Sequence, residues 1–202
     1  MKQNIFSREE RIILSAVEII DELGIDGLSI RELAKKEKVT EGALYRHFKS
    51  KSDIITEVIK YYSRYDLNIM NTINKNKTDA KTSILFFINS FAEYYENYPE
   101  ITAVFCSFES LIYEPGIESQ VIELLDRRRA FLISIIEHGK KSGEFKGNLN
   151  SEDFADIILG SFRQLIFRWR IKQHEFSIKE KSTDMISLIL ESAEITKSTE
   201  MQ

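Results

Sequence analysis

Cysteine, proline and glycine are all scarce in this chain of 202 residues, at one, two and eight respectively. A single thiol, Cys106, excludes an internal disulfide framework and a CxxC redox or zinc pair. So few turn-forming residues exclude an architecture of many short strands and tight hairpins. Long apolar runs are missing too: the longest unbroken one, Ile84 to Ile88, falls far short of the ~20 residues that span a bilayer. The opening stretch MKQNIFSREERIIL reaches charged residues before any apolar segment of useful length, so no secretory signal is expected and the chain reads as cytoplasmic. The histidines His47, His138 and His174 are scattered, and no HxxxH spacing, Walker A loop or nucleophile elbow accompanies them. Neither a metal, a cofactor nor an enzymatic activity is therefore expected.

What is present is helical periodicity. Period-3.6 patterning appears almost everywhere and period-2 alternation almost nowhere, so the fold class is all-α. Ser7, with Glu10 three residues on, makes a capping-box pattern that opens a first helix. Ile12, Ile13, Ala16, Val17, Ile19, Ile20 and Leu23 form its apolar face, and Gly24 stops it. Ser29 and Glu32 make a second box for a short helix. Lys38, Val39 and Thr40 link that helix to another, running from Thr40 to about His47 with Leu44 and Phe48 turned inward. Ser50 and Asp53 cap a long helix through Ile54, Ile55, Val58, Ile59 and Tyr62. Asn71 to Asp79 is polar and reads as a connection. Further helices are expected near 80–97, 101–112, 117–140, 151–173 and 178–197, about nine in all. Pro99, Pro115-Gly116 and the glycines at 139, 143 and 147 punctuate them.

Charge is unevenly placed along this pattern. From Leu28 to Lys51 seven basic side chains stand against three acidic ones, a local +4 in a chain whose formal net charge is −4. A short basic segment on an acidic body is the pattern of a protein that meets a polyanion at one end. The basic residues coincide with two short helices joined by a three-residue turn and packed on a preceding amphipathic helix, the geometry that lays a second helix in the DNA major groove. Ser29 and Arg31 sit at the N-terminus of the first of the pair, where free N–H groups suit phosphate. Thr40, Gly42, Ala43, Tyr45, Arg46 and His47 fall near or on the exposed side of the second, and Lys49 and Lys51 at the next helix start. Tyrosine and histidine can hydrogen-bond phosphate or base edges, an alanine methyl can meet a thymine methyl, and Gly42 lets the backbone approach closely.

The stretch from Arg11 through Ile54, above all LSIRELAKKEKVTEGALYRHFKSKSDI, resembles the DNA-binding domain of the TetR/AcrR family of bacterial transcriptional regulators. The resemblance covers roughly the first quarter of the chain. Its most specific part is the run Gly42 to Phe48 followed by Lys49 to Asp53. It implies phosphate contacts from Tyr45 and from Lys51. The family usually has glycine just before the valine of the interhelical turn, where this chain has Lys38. That lysine must either accept an unusual backbone angle or take a different turn type. The implied domains are 1–52, a three-helix helix-turn-helix domain continuing into a linking helix over 51–70, and 53–202, a helical effector-binding and dimerisation domain.

The family fold further implies a ligand cavity and a dimer interface built from the last two long helices. The stripes Phe154, Ile158, Leu165, Trp169 and Ile186, Ile189, Leu190, Ala193 fit such an interface, and ordinary burial inside a monomer explains them nearly as well. Aromatic residues crowd the middle of the chain. Phe105, Phe108, Phe131 and Phe162 are the candidate pocket residues, with Asn89, Glu109 and Gln164 as polar anchors. Arg127, Arg128 and Arg129 point ~100° apart on a helix and cannot converge on one anion, so a solvated face or ion pairs with Glu123 and Asp126 is expected. Cys106, amid apolar neighbours, reads as a small buried hydrophobe.

The leading expectation is a homodimeric repressor of a palindromic operator in double-stranded DNA, released by a small apolar effector. The alternative is a DNA-bound architectural or protein-interaction factor with no effector.

Overall fold

The computed structural model describes residues 7–76 and 78–195. Residues 1–6, part of the stretch on which the absence of a leader was read, and the expected end of the last helix at 197 lie outside the described residues. Within them the chain is all-α, with ten helices: α1 (Arg8–Gly27), α2 (Ile30–Glu37), α3 (Glu41–Tyr45), α4 (Lys51–Asn76), α5 (Ala80–Asn97), α6 (Ile101–Cys106), α7 (Phe108–Leu111), α8 (Glu118–Ser142), α9 (Ser151–Ile171) and α10 (Ile178–Ala193). No described helix is long and apolar enough to cross a membrane.

Two compact units share the chain, and neither is one continuous stretch. Among the described residues, unit 1 takes 7–67 and 98–125, and unit 2 takes 68–76, 78–97 and 126–195. In unit 1, α1 packs on α2 and on α6, and α2 on α3. Leu33, Leu44, Ile54 and Val58 are wholly buried there, and the ring of Tyr62 meets Phe108 edge-on at 6.1 Å. In unit 2, α10 packs on α5 and α9. Phe87, Ile88, Leu132, Ile136, Ile158 and Leu190 form its centre.

The local signals operate as physical chemistry requires. Ser7 Oγ accepts the Glu10 N–H at 3.1 Å and Glu10 accepts the Ser7 N–H at 2.9 Å, which satisfies two otherwise orphaned donors. Gly24 breaks α1 with φ +73°, and a last turn through buried Ile25 continues to Gly27. At the interhelical turn Lys38 adopts the left-handed conformation, φ 55° and ψ 41°, while the Val39 N–H reaches back to Ala34 O at 3.0 Å. Of the two alternatives for this position, the lysine therefore accepts the left-handed angle that glycine more commonly takes.

Three expectations are corrected. Asn71 to Asn76 is not a connection but the last turns of α4, because Ile69, Met70 and Ile73 extend the buried stripe while the polar residues face solvent. The single helix expected over 101–112 is two, since Ser107 Oγ bonds back to Ala103 O at 2.7 Å and its N–H is shared between two carbonyls. Arg128 is not on a solvated face. It is 6% exposed, with its guanidinium 4.5 Å from the centre of the Phe91 ring.

Candidate nucleic-acid interface

Helix α3 is short, and its placement depends on neighbours. Thr40 Oγ1 caps it by accepting the Ala43 N–H at 3.2 Å, and Leu44 and Phe48 anchor its inner side. Helix α2, on which it rests, is tied to α1 by charge. The nearly buried Glu37 carboxylate accepts Arg11 Nε at 3.1 Å and Ser15 Oγ at 2.6 Å. Lys36 lies 2.9 Å from both Glu18 and Glu22. Burial pulls the Lys36 ammonium down, but the two carboxylates outweigh it and hold its pKa above the ordinary value. Together these ties fix where α3 stands.

On that frame Arg31, Thr40, Gly42, Tyr45, Arg46, His47 and Lys49 are exposed, and Ser29, Ala43 and Lys51 are half-buried. Ser29 Oγ is engaged in capping α2 through the Glu32 N–H. Tyr45 is 52% exposed despite being aromatic, so solvent meets its ring and hydroxyl. Among the described residues Arg31, Arg46 and Lys49 have no ion-pair partner. A cluster of free cations beside a capped helix with a small, bare backbone at Gly42 can bind a polyanion and admit it closely. Lys51 is different, because its Nζ lies 2.9 Å from Glu114. A shallow pocket of about 160 Å³ lies beside this face, lined by Arg8, Glu9, Ile12, His47 and Phe48, and is smaller than the ~300 Å³ at which small-molecule sites begin.

The residues expected to line an effector pocket are divided between the two units. Phe105, Phe108 and Glu109 belong to unit 1, where the two rings pack at 5.5 Å and Glu109 is exposed. Asn89, Phe131, Phe162 and Gln164 belong to unit 2. Phe131 packs on Phe87 at 5.6 Å and Phe162 stacks with Tyr95 at 6.2 Å. Asn89 Oδ1 accepts from Ser182 and Thr183, which fastens α5 to α10. Gln164 stands on the exposed face of α9, because helical spacing turns it away from Phe162 and Leu165, so it is no interior anchor.

The stripes assigned to a dimer interface also need correcting. Phe154, Ile158, Leu165, Trp169, Ile186, Leu190 and Ala193 are buried inside their own chain, and Ile189 is half-buried. Trp169 even spends its indole N–H internally, on Phe176 O at 2.7 Å. Besides the charged residues Glu152, Asp153, Asp156, Arg163 and Arg168, α9 exposes Ile157, Gly160, Gln164, Phe167 and Ile171, spaced three and four apart on one side, and α10 exposes Leu188. The sequence shows α9 to be apolar on more than one side, and the stripe expected at an interface is the one buried within the chain. Sequence reasoning missed Arg128, although Val121, Leu124, Leu132 and Ile135 are buried on either side of it at the same helical spacing.

Two family models match the chain. The one described as "Bacterial regulatory proteins, tetR family" covers residues 12–58, and "YsiA-like protein, C-terminal region" covers 64–192. Among proteins of known role, the fatty acid metabolism regulator protein of Bacillus subtilis is 23% identical, over 89% of this chain and 92% of that one. Among solved structures, FadR from Bacillus subtilis in complex with stearoyl-CoA superposes with a TM-score of 0.80 at 23% identity, over 91% of this chain and 98% of that one. The ketosteroid regulator KstR2 of Mycobacterium tuberculosis gives 0.81 at 16% identity, over 95% and 97%. The two models cover the helix-turn-helix and the helical remainder in turn, so this chain belongs to the TetR family of bacterial regulatory proteins and is a DNA-binding transcriptional regulator, not an enzyme.

Proposed function

We propose that the protein is a homodimeric repressor that binds a palindromic operator through two copies of α3 and leaves it when unit 2 takes up an acyl compound, an apolar chain with a polar or anionic head. The observation that carries the ligand reading is the aromatic group of unit 2, in which Phe87, Phe91, Tyr95, Phe131 and Phe162 pack ring on ring and the buried guanidinium of Arg128 stands over Phe91. Rings accept an alkyl chain, and a cation held among them favours a carboxylate, phosphate or polarised carbonyl. A relative named for fatty acid metabolism and a solved structure of a similar regulator holding stearoyl-CoA support the same class.

The exposed α9 stripe supports the dimer. Ile157, Phe167 and Ile171 flank Gly160, whose bare backbone lets a second helix approach closely. Two copies of α3 then engage major grooves one turn apart, about 34 Å centre to centre. Release follows by linkage: the ligand must favour the dimer geometry that misfits the grooves, and a hundredfold loss of operator affinity needs about 2.7 kcal/mol of such preference. A regulator of this kind acts in the cytoplasm, where bacterial DNA is. The test is fluorescence anisotropy of an operator duplex titrated with stearoyl-CoA, stearate or CoA alone. The acyl compounds are expected to release the duplex and CoA is not. Retention of the duplex against all three would sink the acyl class.

A further inference from the structure

The cations around the helix-turn-helix divide into two sets. Arg31, Arg46 and Lys49 are exposed and, among the described residues, without ion-pair partners, whereas Lys51 is held by Glu114 at 2.9 Å. Glu114 lies outside the helix-turn-helix, in the turn between α7 and α8, and both residues belong to unit 1. The pair is screened from solvent on both sides, with side chains 26% and 22% exposed.

Glu114 is held firmly. Its N–H donates to Leu111 O at 3.0 Å and its carbonyl accepts the Ile117 N–H at 3.1 Å, and both Leu111 and Ile117 are wholly buried. One turn further along α4, Gln120 Nε2 donates to Thr56 Oγ1 at 3.2 Å, so this segment is fastened to α4 without the ion pair. Lys51, for its part, opens a 26-residue helix, where the positive end of the dipole disfavours a cation. Asp53 already supplies the acid of that first turn, accepting the Lys49 N–H at 2.7 Å. Helix stability gives no reason for a lysine at this position, and a phosphate contact does.

We propose that Glu114 is an internal competitor of the DNA phosphate for Lys51, so that the α7–α8 turn withholds part of the protein's affinity for DNA. A carboxylate 2.9 Å from the ammonium cancels its charge and repels an incoming phosphate, and the phosphate must displace it to gain the contact. Glu114 is thus a positioning residue that acts through Lys51. The proposal rests on the reading that Lys51 faces DNA.

The test is a two-by-two set in the full-length protein: wild type, Glu114→Gln, Lys51→Gln and the double variant. Binding to a labelled duplex enriched by the wild type from a random pool is measured from low to moderate KCl, and the melting temperature of each variant is recorded alongside. Glu114→Gln is expected to tighten binding by up to about fivefold per protomer and to steepen the salt slope by about 0.9 per protomer. Lys51→Gln alone is expected to change the slope by less than that, and to erase the gain from Glu114→Gln in the double variant. A loss of fold moves the melting temperature and lowers affinity, whereas competition raises affinity and moves the slope. If Glu114→Gln changes neither affinity nor slope while Lys51→Gln costs the full ~0.9, Lys51 contacts phosphate unopposed and the competitor role is overturned. An equal gain from Glu114→Gln with and without Lys51 also overturns it, since the carboxylate then acts on DNA directly. If removing Lys51 leaves affinity and slope unchanged in both backgrounds, it is the placement of Lys51 at DNA that fails.

Discussion

Helix α3 is five residues long and buries one side chain, Leu44, whereas α9 runs for 21 residues and buries eight. Outside those contacts α3 shows Glu41, Tyr45 and bare Gly42, with the exposed cations Arg46 and Lys49 just beyond it, while α9 shows a stripe holding Ile157, Phe167 and Ile171 beside charged residues. One surface suits a hydrated polyanion and the other an apolar partner. The difference teaches how each is specified. The proposed DNA-reading face is built from neighbours in sequence, held by caps and by Glu37 and Lys36 on the adjoining helix. The face of α9 depends on which side α5, α8 and α10 leave uncovered, a property of the whole of unit 2.

The largest effect is expected where α3 depends on the core. Phe48→Ala should cost about 3–5 kcal/mol, lower the melting temperature and abolish operator binding. Unchanged melting together with intact binding would show that α3 is placed by something else. Next comes a charge on the exposed side of α9. Phe167→Glu should convert the dimer to a folded monomer, with subunit affinity falling a hundredfold or more, about 2.7 kcal/mol, as read by sedimentation. A dimer of unchanged strength would move the interface to another face.

Tyr45→Ala should leave melting alone, because the ring is half-exposed, yet weaken DNA binding at least tenfold, about 1.4 kcal/mol. Lys38→Gly should raise stability by about 1 kcal/mol, as glycine takes the left-handed angle without a Cβ clash. Denaturant melts would show it. The smallest effect is a pH dependence. Asp79 caps α5 by accepting the Thr82 N–H at 2.8 Å, and that bond, opposed in part by burial, holds its carboxyl below the ordinary 3.8. Its contribution is therefore full above that value and lost as pH falls through the lowered one. Asp79→Asn keeps a cap and should remove that part of the acid sensitivity of melting.

The same contrast explains what could be read from sequence alone. Ser7, Ser29, Thr40 and Ser50 cap helices within three residues of themselves, so the starts of the first four helices were legible. The turn at Lys38 was open to two solutions, since only the packing of α2 on α3 decides between them. In the rest of the chain the helices were legible and their faces were not. Arg128 is buried where Phe91 of α5 receives it, and Ile157 is exposed because Ile158 takes the inward position beside it. Neither choice follows from a pattern within one helix. The side-chain bond at Ser107 that splits α6 from α7 is a local competition that hydrophobic periodicity does not register.

Selection of bound duplexes from a random pool, by the full-length wild type and by Tyr45→Ala in parallel, tests the central claim most directly. A two-fold-symmetric site enriched by the wild type, with half-sites one helical turn apart and lost in the variant, is the predicted result. Enrichment of the same site by both proteins, or of no symmetric site by the wild type, would contradict a dimer that reads its operator through α3.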